Sequence, residues 1–140
     1  MRSKRRFKVL VVDDEEDLRK LVMEVLKERG LEVYGASRGG EALEKVREIR
    51  PDLILLDVMM PDIDGWEVCR KIKGNPETRQ IIVSMLTVKG HDRDKVKSLD
   101  YAVADWHISK PVSIDELAKT VLWLLGKPIK REGRRPWDSR

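Results

Sequence analysis

Short runs rich in Val, Ile and Leu alternate along the chain with longer stretches whose apolar residues recur at helical spacing. This is the signature of β-α repeats wound around a parallel sheet. Lys8 to Val12 predicts the first strand, and Glu16 to Arg29 a helix with Leu18, Leu21, Val22, Val25 and Leu26 on one face. Gly30 ends that helix by permitting a left-handed cap. Glu32 to Ala36 predicts strand two, and Gly40 to Arg50 a second helix stopped by Pro51. Leu53 to Leu56 is unbroken in its apolar character, so strand three is expected at the centre of the sheet, buried on both faces, with Asp57 where it ends. Gly65 to Lys73 predicts helix three, Gln80 to Leu86 strand four, Asp92 to Leu99 a fourth helix, Asp105 to Ile108 strand five and Ser113 to Leu125 a fifth helix. Ser113 suits an N-cap, and Glu116 is placed to complete a capping box.

Length and composition narrow the picture. A chain of 140 residues, 41% hydrophobic, fits one globular domain with its own core and leaves no room for a second of ordinary size. The single cysteine, Cys69, cannot form an internal disulfide, and no apolar run approaches the roughly 20 residues of a membrane helix. A reducing, cytoplasmic setting is therefore expected. The basic start resembles the first part of a signal peptide, but Phe7 to Val12 is too short for its apolar core and runs straight into acids, so no targeting segment is expected. Formal charge is +4, yet residues 2–6 and 126–140 each carry a net +4, which leaves the body at −4. Basic ends on an acidic body read as solvated tails, and DNA is not expected among the partners. The 39% charged content would also suit the surface ion-pair networks of a thermophile. Cys69 falls with Trp66 and Ile72 on the inner face of helix three and reads as a core thiol; Trp66 and Trp123 read as packing residues.

In an open α/β sheet, ligands bind beyond the carboxyl ends of the strands. That edge collects Asp13 and Asp14 after strand one, Asp57 after strand three, Thr87 after strand four and Lys110 after strand five. Taken singly, each is most often an ordinary loop or cap residue. Together they carry chemistry. Three carboxylates in one place either raise a pKa or gather round a cation, and oxygen ligands suit Mg²⁺. The hydroxyl of Thr87 and the ammonium of Lys110 are donors for an anion. A metal, anion donors and a carboxylate nucleophile in one pocket are what phosphoryl transfer requires.

The segments Val11-Val12-Asp13-Asp14-Glu15, Leu55-Leu56-Asp57-Val58-Met59-Met60-Pro61, Asp64-Gly65-Trp66-Glu67, Met85-Leu86-Thr87 and Ser109-Lys110-Pro111 resemble, in order and spacing, the receiver domains of two-component response regulators. The likeness covers about residues 7 to 125. It implies a flavodoxin-like α/β fold, with a five-stranded parallel sheet of order 2-1-3-4-5 and helices on both faces. The chain then divides into a basic extension over 1–6, a receiver domain over 7–125 and a basic tail over 126–140. By the same likeness Asp57 would take a phosphoryl group from a sensor histidine kinase or histidine phosphotransfer protein. Asp14, Asp57 and the backbone carbonyl of Met59 would hold Mg²⁺, with Asp13 acting directly or through water. Thr87 would hydrogen-bond the phosphoryl oxygens, Lys110 would pair with them, and the Lys110–Pro111 bond would be cis. Thr87 would then move toward the phosphate, and His107 would follow it inward. That repacks the surface of the fourth helix, fifth strand and fifth helix for a downstream effector protein. A lone His in a strand is otherwise an ordinary packing residue. The resemblance implies a regulator, monomeric or dimerising on phosphorylation. It assists its own phosphorylation and dephosphorylation but turns over no separate substrate.

The rival readings are weaker. Gly35 and Gly40 have the spacing that opens a P-loop, but Glu41 stands where its lysine should be. A haloacid-dehalogenase-type phosphatase needs a second Asp two residues after the first, and neither Asp13 nor Asp57 has one. A binding module with phosphate-independent output is disfavoured by the complete set of site residues. The basic tail is too short for a helix-turn-helix unit, so any DNA contact would be weak and sequence-blind. Trp106, Trp137 and His91 suggest no role. The chain departs from the family pattern at Val88, where a small residue is usual, at Val103 in place of glycine and at Val112 in place of a frequent phenylalanine. Val88 is expected to narrow access to the phosphoryl group and slow its loss. Val88→Ala should therefore shorten the lifetime of the phosphorylated protein, and an unchanged lifetime would refute this reading.

Overall fold

The apolar run Leu53 to Leu56 is buried at every position, and it lies at the middle of the sheet as the pattern requires. A computed structural model describes residues 5–88, 103–110 and 112–126. Its five strands are β1 (Lys8–Val12), β2 (Glu32–Ala36), β3 (Leu53–Asp57), β4 (Ile82–Val88) and β5 (Trp106–Lys110), all parallel and in the order β2-β1-β3-β4-β5. The described helices are α1 (Glu16–Glu28), α2 (Gly39–Ile49), α3 (Gly65–Lys73) and α4 (Ile114–Leu124). The predicted helix over 92–99, Pro111, His91, Trp137, the side chain of Val88 and the tail beyond 126 lie outside the described residues.

Strand side chains alternate between the two faces of the sheet, so each strand feeds two cores. Leu10, Val12, Ile54, Leu56, Val83 and Met85 pack with α2 and α3. Val9, Val11, Leu53, Leu55, Leu86 and Ile108 pack with α1 and α4. Trp66, Cys69 and Ile72 of α3 are buried in the first core, as the helical spacing predicted. Each large side chain buried this way contributes about 1.5–3 kcal/mol. Trp106 and Trp123, from β5 and α4, meet edge to face with ring centroids 5.2 Å apart, which gives Trp106 the packing role that its place in the sequence did not reveal.

Element ends differ from the sequence pattern where polar residues still pair. β4 runs to Val88 and β5 to Lys110, so Thr87 and Lys110 lie within strands and not beyond them. Apolar patterning stops at Leu86 and Ile108, but the ladder continues through Thr87–Ser109 and Val88–Lys110. Asp57 likewise closes β3, opposite Leu86. α2 stops at Ile49 because a residue before proline is disfavoured in helical geometry, and Arg50 turns left-handed at φ 53°. Gly30 ends α1 at φ 88°, as expected. Ser113 caps α4 by accepting a hydrogen bond from the Glu116 N–H at 3.0 Å. Arg5, in the expected solvated extension, stays exposed while making two hydrogen bonds to Asp52, which also accepts from the Lys8 N–H at 2.7 Å.

One close approach fixes α3 against the end of β3. The Gly65 N–H donates to the Val58 carbonyl at 2.8 Å. A Cβ at Gly65 would lie 2.3 Å from the Asp57 carbonyl oxygen and 2.9 Å from Val58 Cα. These are backbone atoms and cannot swing away. Gly65→Ala should lower the unfolding free energy by roughly 2–3 kcal/mol in denaturant titration, the cost of overpacking at a rigid contact; a loss under about half of the lower figure would mean the loop gives way freely.

Candidate functional site

The parallel arrangement brings every strand out at the same edge, and the predicted acidic residues meet there. Carboxylate oxygens of Asp13, Asp14 and Asp57 all lie within 4.8 Å of one another. Asp13 and Asp57 are buried, at 2% and 5% exposure, whereas Asp14 is exposed. Lys110 reaches in from β5, its Nζ 3.7 Å from Asp57 Oδ1 and 3.9 Å from Asp13 Oδ2. A recess of about 380 Å³ opens beside them, lined by Asp14, Val58, Met59, Met60, Asp64 and others.

Local backbone geometry holds the acids in place. The Asp13 N–H donates to the Ala36 carbonyl at 3.1 Å, which continues the β1–β2 ladder by one step. Asp13 Oδ1 accepts from the Glu15 N–H at 2.9 Å, and its carbonyl accepts from the Arg19 guanidinium at 2.8 Å. Asp57 Oδ1 accepts from the Met59 N–H at 3.3 Å, and the Val58 N–H reaches the Leu86 carbonyl at 3.3 Å. The chain is thus turned sharply just after Asp57, with Met59 at the mouth of the site and 53% exposed.

Burial, and then the charge of Asp13, push the Asp57 carboxyl up to about 6, against the opposing pull of Lys110 and the Met59 N–H. One ammonium leaves three clustered carboxylates short of compensation. Hard oxygen donors at this spacing fit a divalent cation of the Mg²⁺ type.

Thr87 is buried near the end of β4, one step past the residue that pairs with Asp57. Residues two apart on a strand share a face, and Met85 pairs with His107 while Thr87 pairs with Ser109. Thr87 and His107 therefore lie diagonally on the face that carries α3, and the His107 ring sits 6.0 Å from that of Trp66. Pro111, expected to follow Lys110 through a cis bond, lies outside the described residues.

Sequence reasoning missed two residues of this region. Arg19 looks like one more charge on a surface helix, and nothing local says that it turns back to the Asp13 carbonyl. Asp62 looks like a turn residue after Pro61. Its two oxygens instead accept from the Gly39 and Gly40 N–H groups, each at 2.9 Å. Those donors and the nearby loop amides hold its carboxyl at about 2. Its position in the Pro61-Asp62-Ile63-Asp64 loop gave no sign of a partner on α2.

A family model described as response regulator receiver domain matches residues 9–122. The chain is 39% identical over 118 residues to the phosphate regulon transcriptional regulatory protein PhoB of Rhizobium meliloti (strain 1021), a match covering 84% of this chain and 52% of that one. It thus spans about half the length of that curated relative. Among solved structures it is similar to the signal receiver domain of a signal transduction histidine kinase from Syntrophus aciditrophicus, with TM-score 0.78, 36% identity and coverage of 91% and 96% of the two chains. It is also similar to the chemotaxis response regulator CheY4 of Vibrio cholerae, with TM-score 0.77, 32% identity and coverage of 86% and 99%.

The raised Asp57 value belongs to the folded chain, so this residue favours folding while protonated. That contribution fades as pH rises from 3.8 through about 6. In metal-free buffer at neutral pH, Asp57→Asn should be more stable than wild type by on the order of 2 kcal/mol. The gap should shrink as the solution is acidified through that range, and Mg²⁺ should narrow it at neutral pH by stabilising wild type. Thermal melts that coincide at neutral pH would mean the ionised carboxylate does not strain the fold.

Proposed function

The chain belongs to the response regulator receiver domain family, and on that premise we propose that it takes a phosphoryl group on Asp57 from a phosphohistidine of a sensor histidine kinase or histidine phosphotransfer protein. The observation that most supports this is the convergence of Asp13, Asp14 and Asp57 within 4.8 Å, with Lys110 Nζ 3.7 Å from Asp57. In transfer, an Asp57 oxygen bonds phosphorus while the nitrogen–phosphorus bond breaks and its electron pair returns to the donor imidazole. Asp57 is suited to this because its carboxylate ends the central strand next to the recess that Asp14, Val58 and Met59 line.

Asp13, Asp14 and Asp57, with the Met59 carbonyl, are the residues that would hold Mg²⁺. When bound, the ion supplies positive charge that offsets both the acids and the incoming phosphoryl oxygens. Lys110 adds a fixed cation on the β5 side, and the Thr87 hydroxyl is a donor from β4. Hydrolysis runs through the same groups: water cleaves the oxygen–phosphorus bond and returns the carboxylate and inorganic phosphate.

Output follows from the shared face of Thr87 and His107. When Thr87 is drawn toward a phosphoryl group, the His107 ring follows inward, which reshapes the β5 and α4 surface. A recess of about 380 Å³ on that surface, lined by His107, Ser109, Val112, Glu116 and Thr120 among others, is where a downstream effector protein would read the state. The Val88 side chain remains the proposed brake on phosphoryl loss. The measurement that tests the acceptor is intact mass after incubation with acetyl phosphate and Mg²⁺. Wild type should gain one phosphoryl group and Asp57→Asn none, and Lys110→Ala should gain it at least about tenfold more slowly, the scale of one lost charge stabilisation. Labelling of Asp57→Asn to the same extent as wild type would place the acceptor elsewhere.

A further inference from the structure

The loop over 58–64 supplies Met59 to the site, yet most of it is exposed. Its base is pinned where the Gly65 N–H meets the Val58 carbonyl at 2.8 Å. Asp64 at its far end is occupied in capping α3, accepting from the Glu67 N–H at 2.9 Å. Between these points Met60 and Ile63 pack against the core, and Asp62 hydrogen-bonds across to α2.

That contact solves a problem for α2 as well. A helix begins with N–H groups that have no partner within it. The residue at the N-cap of α2, Arg38, makes no side-chain cap hydrogen bond. Asp62 Oδ1 accepts from Gly39 and Oδ2 from Gly40, each at 2.9 Å, so one carboxylate caps the helix from more than 20 residues away. Negative charge at this end of a helix is favourable. The fit is close: a Cβ at Gly39 would lie 3.0 Å from the Ile63 carbonyl oxygen, and one at Gly40 would lie 3.3 Å from Asp62 Oδ2.

We propose that Asp62 is a positioning residue for the phosphoacceptor site: by clamping the loop to the start of α2 it fixes the Met59 backbone, whose N–H holds Asp57 and whose carbonyl would be a ligand for the cation. The inference rests on the metal-assisted reading given above. It assigns Asp62 no contact with phosphate or metal. Its effect passes through the loop, as an outer partner's effect passes through a metal ligand.

The test compares wild type with Asp62→Ala and with Asp62→Asn, which keeps one acceptor oxygen and guards against a variant that fails to fold. Amide hydrogen exchange of the metal-free proteins is read at Gly39, Gly40 and Met59, and Mg²⁺ affinity is measured by amide shift titration. In Asp62→Ala, exchange at Met59 should quicken and the dissociation constant for Mg²⁺ should rise about tenfold, with Asp62→Asn between it and wild type. Faster exchange confined to Gly39 and Gly40, with Met59 and Mg²⁺ affinity unchanged, would reduce Asp62 to a helix cap and overturn the proposal. If wild type itself bound no Mg²⁺, the metal-assisted reading would fail. Met59 exchange in the metal-free variants would still decide the clamp: faster supports it, unchanged overturns it.

Discussion

Ionised Asp57 at the buried end of the central strand is the constraint from which the rest of the site follows. A carboxylate at 5% exposure, beside the equally buried Asp13, is unfavourable unless positive charge is brought to it. Lys110 supplies part of that charge from 3.7 Å, too far for a tight ion pair. The remaining deficit makes the pocket receptive to a divalent cation. The fold tolerates the strain because β3 is flanked by paired strands and covered on both faces, so its end cannot retreat into solvent.

Holding the charges is the work of backbone as much as of side chains. The turns after β1 and β3 are closed by hydrogen bonds from the Glu15 and Met59 N–H groups to the aspartates that precede them. Gly65 lets α3 sit directly on the Asp57 backbone, and Asp62 ties the intervening loop to α2. An acid cluster needs such fixed supports, since mutual repulsion would otherwise spread mobile loops apart. Thr87 and His107, the proposed switch pair, likewise share a face because strand alternation and register place them there.

Much of this was legible along the chain. The order of strands and helices came from apolar periodicity, and the unbroken run before Asp57 marked the centre of the sheet. Asp13, Asp14, Asp57, Thr87 and Lys110 were picked out because parallel strands deliver their ends to one edge. Strand ends were misjudged at Thr87, Ser109 and Lys110, because a polar residue can continue a hydrogen-bonded ladder that apolar patterning no longer signals. The reach of Arg5 was not legible for a related reason: its bonds to Asp52 join positions 47 residues apart.

The amino-acid sequence by itself therefore determined the β-α alternation and the identity of the acidic residues, since both depend on local periodicity and on which residue types end a strand, while the strand order came from the family resemblance. Tertiary structure alone decided how close the charges come, which of them lose water, and which distant groups brace them. Asp62 shows the difference: a loop aspartate is chemically the same wherever it occurs, and only the folded path of the chain gives it the open end of α2 to bind.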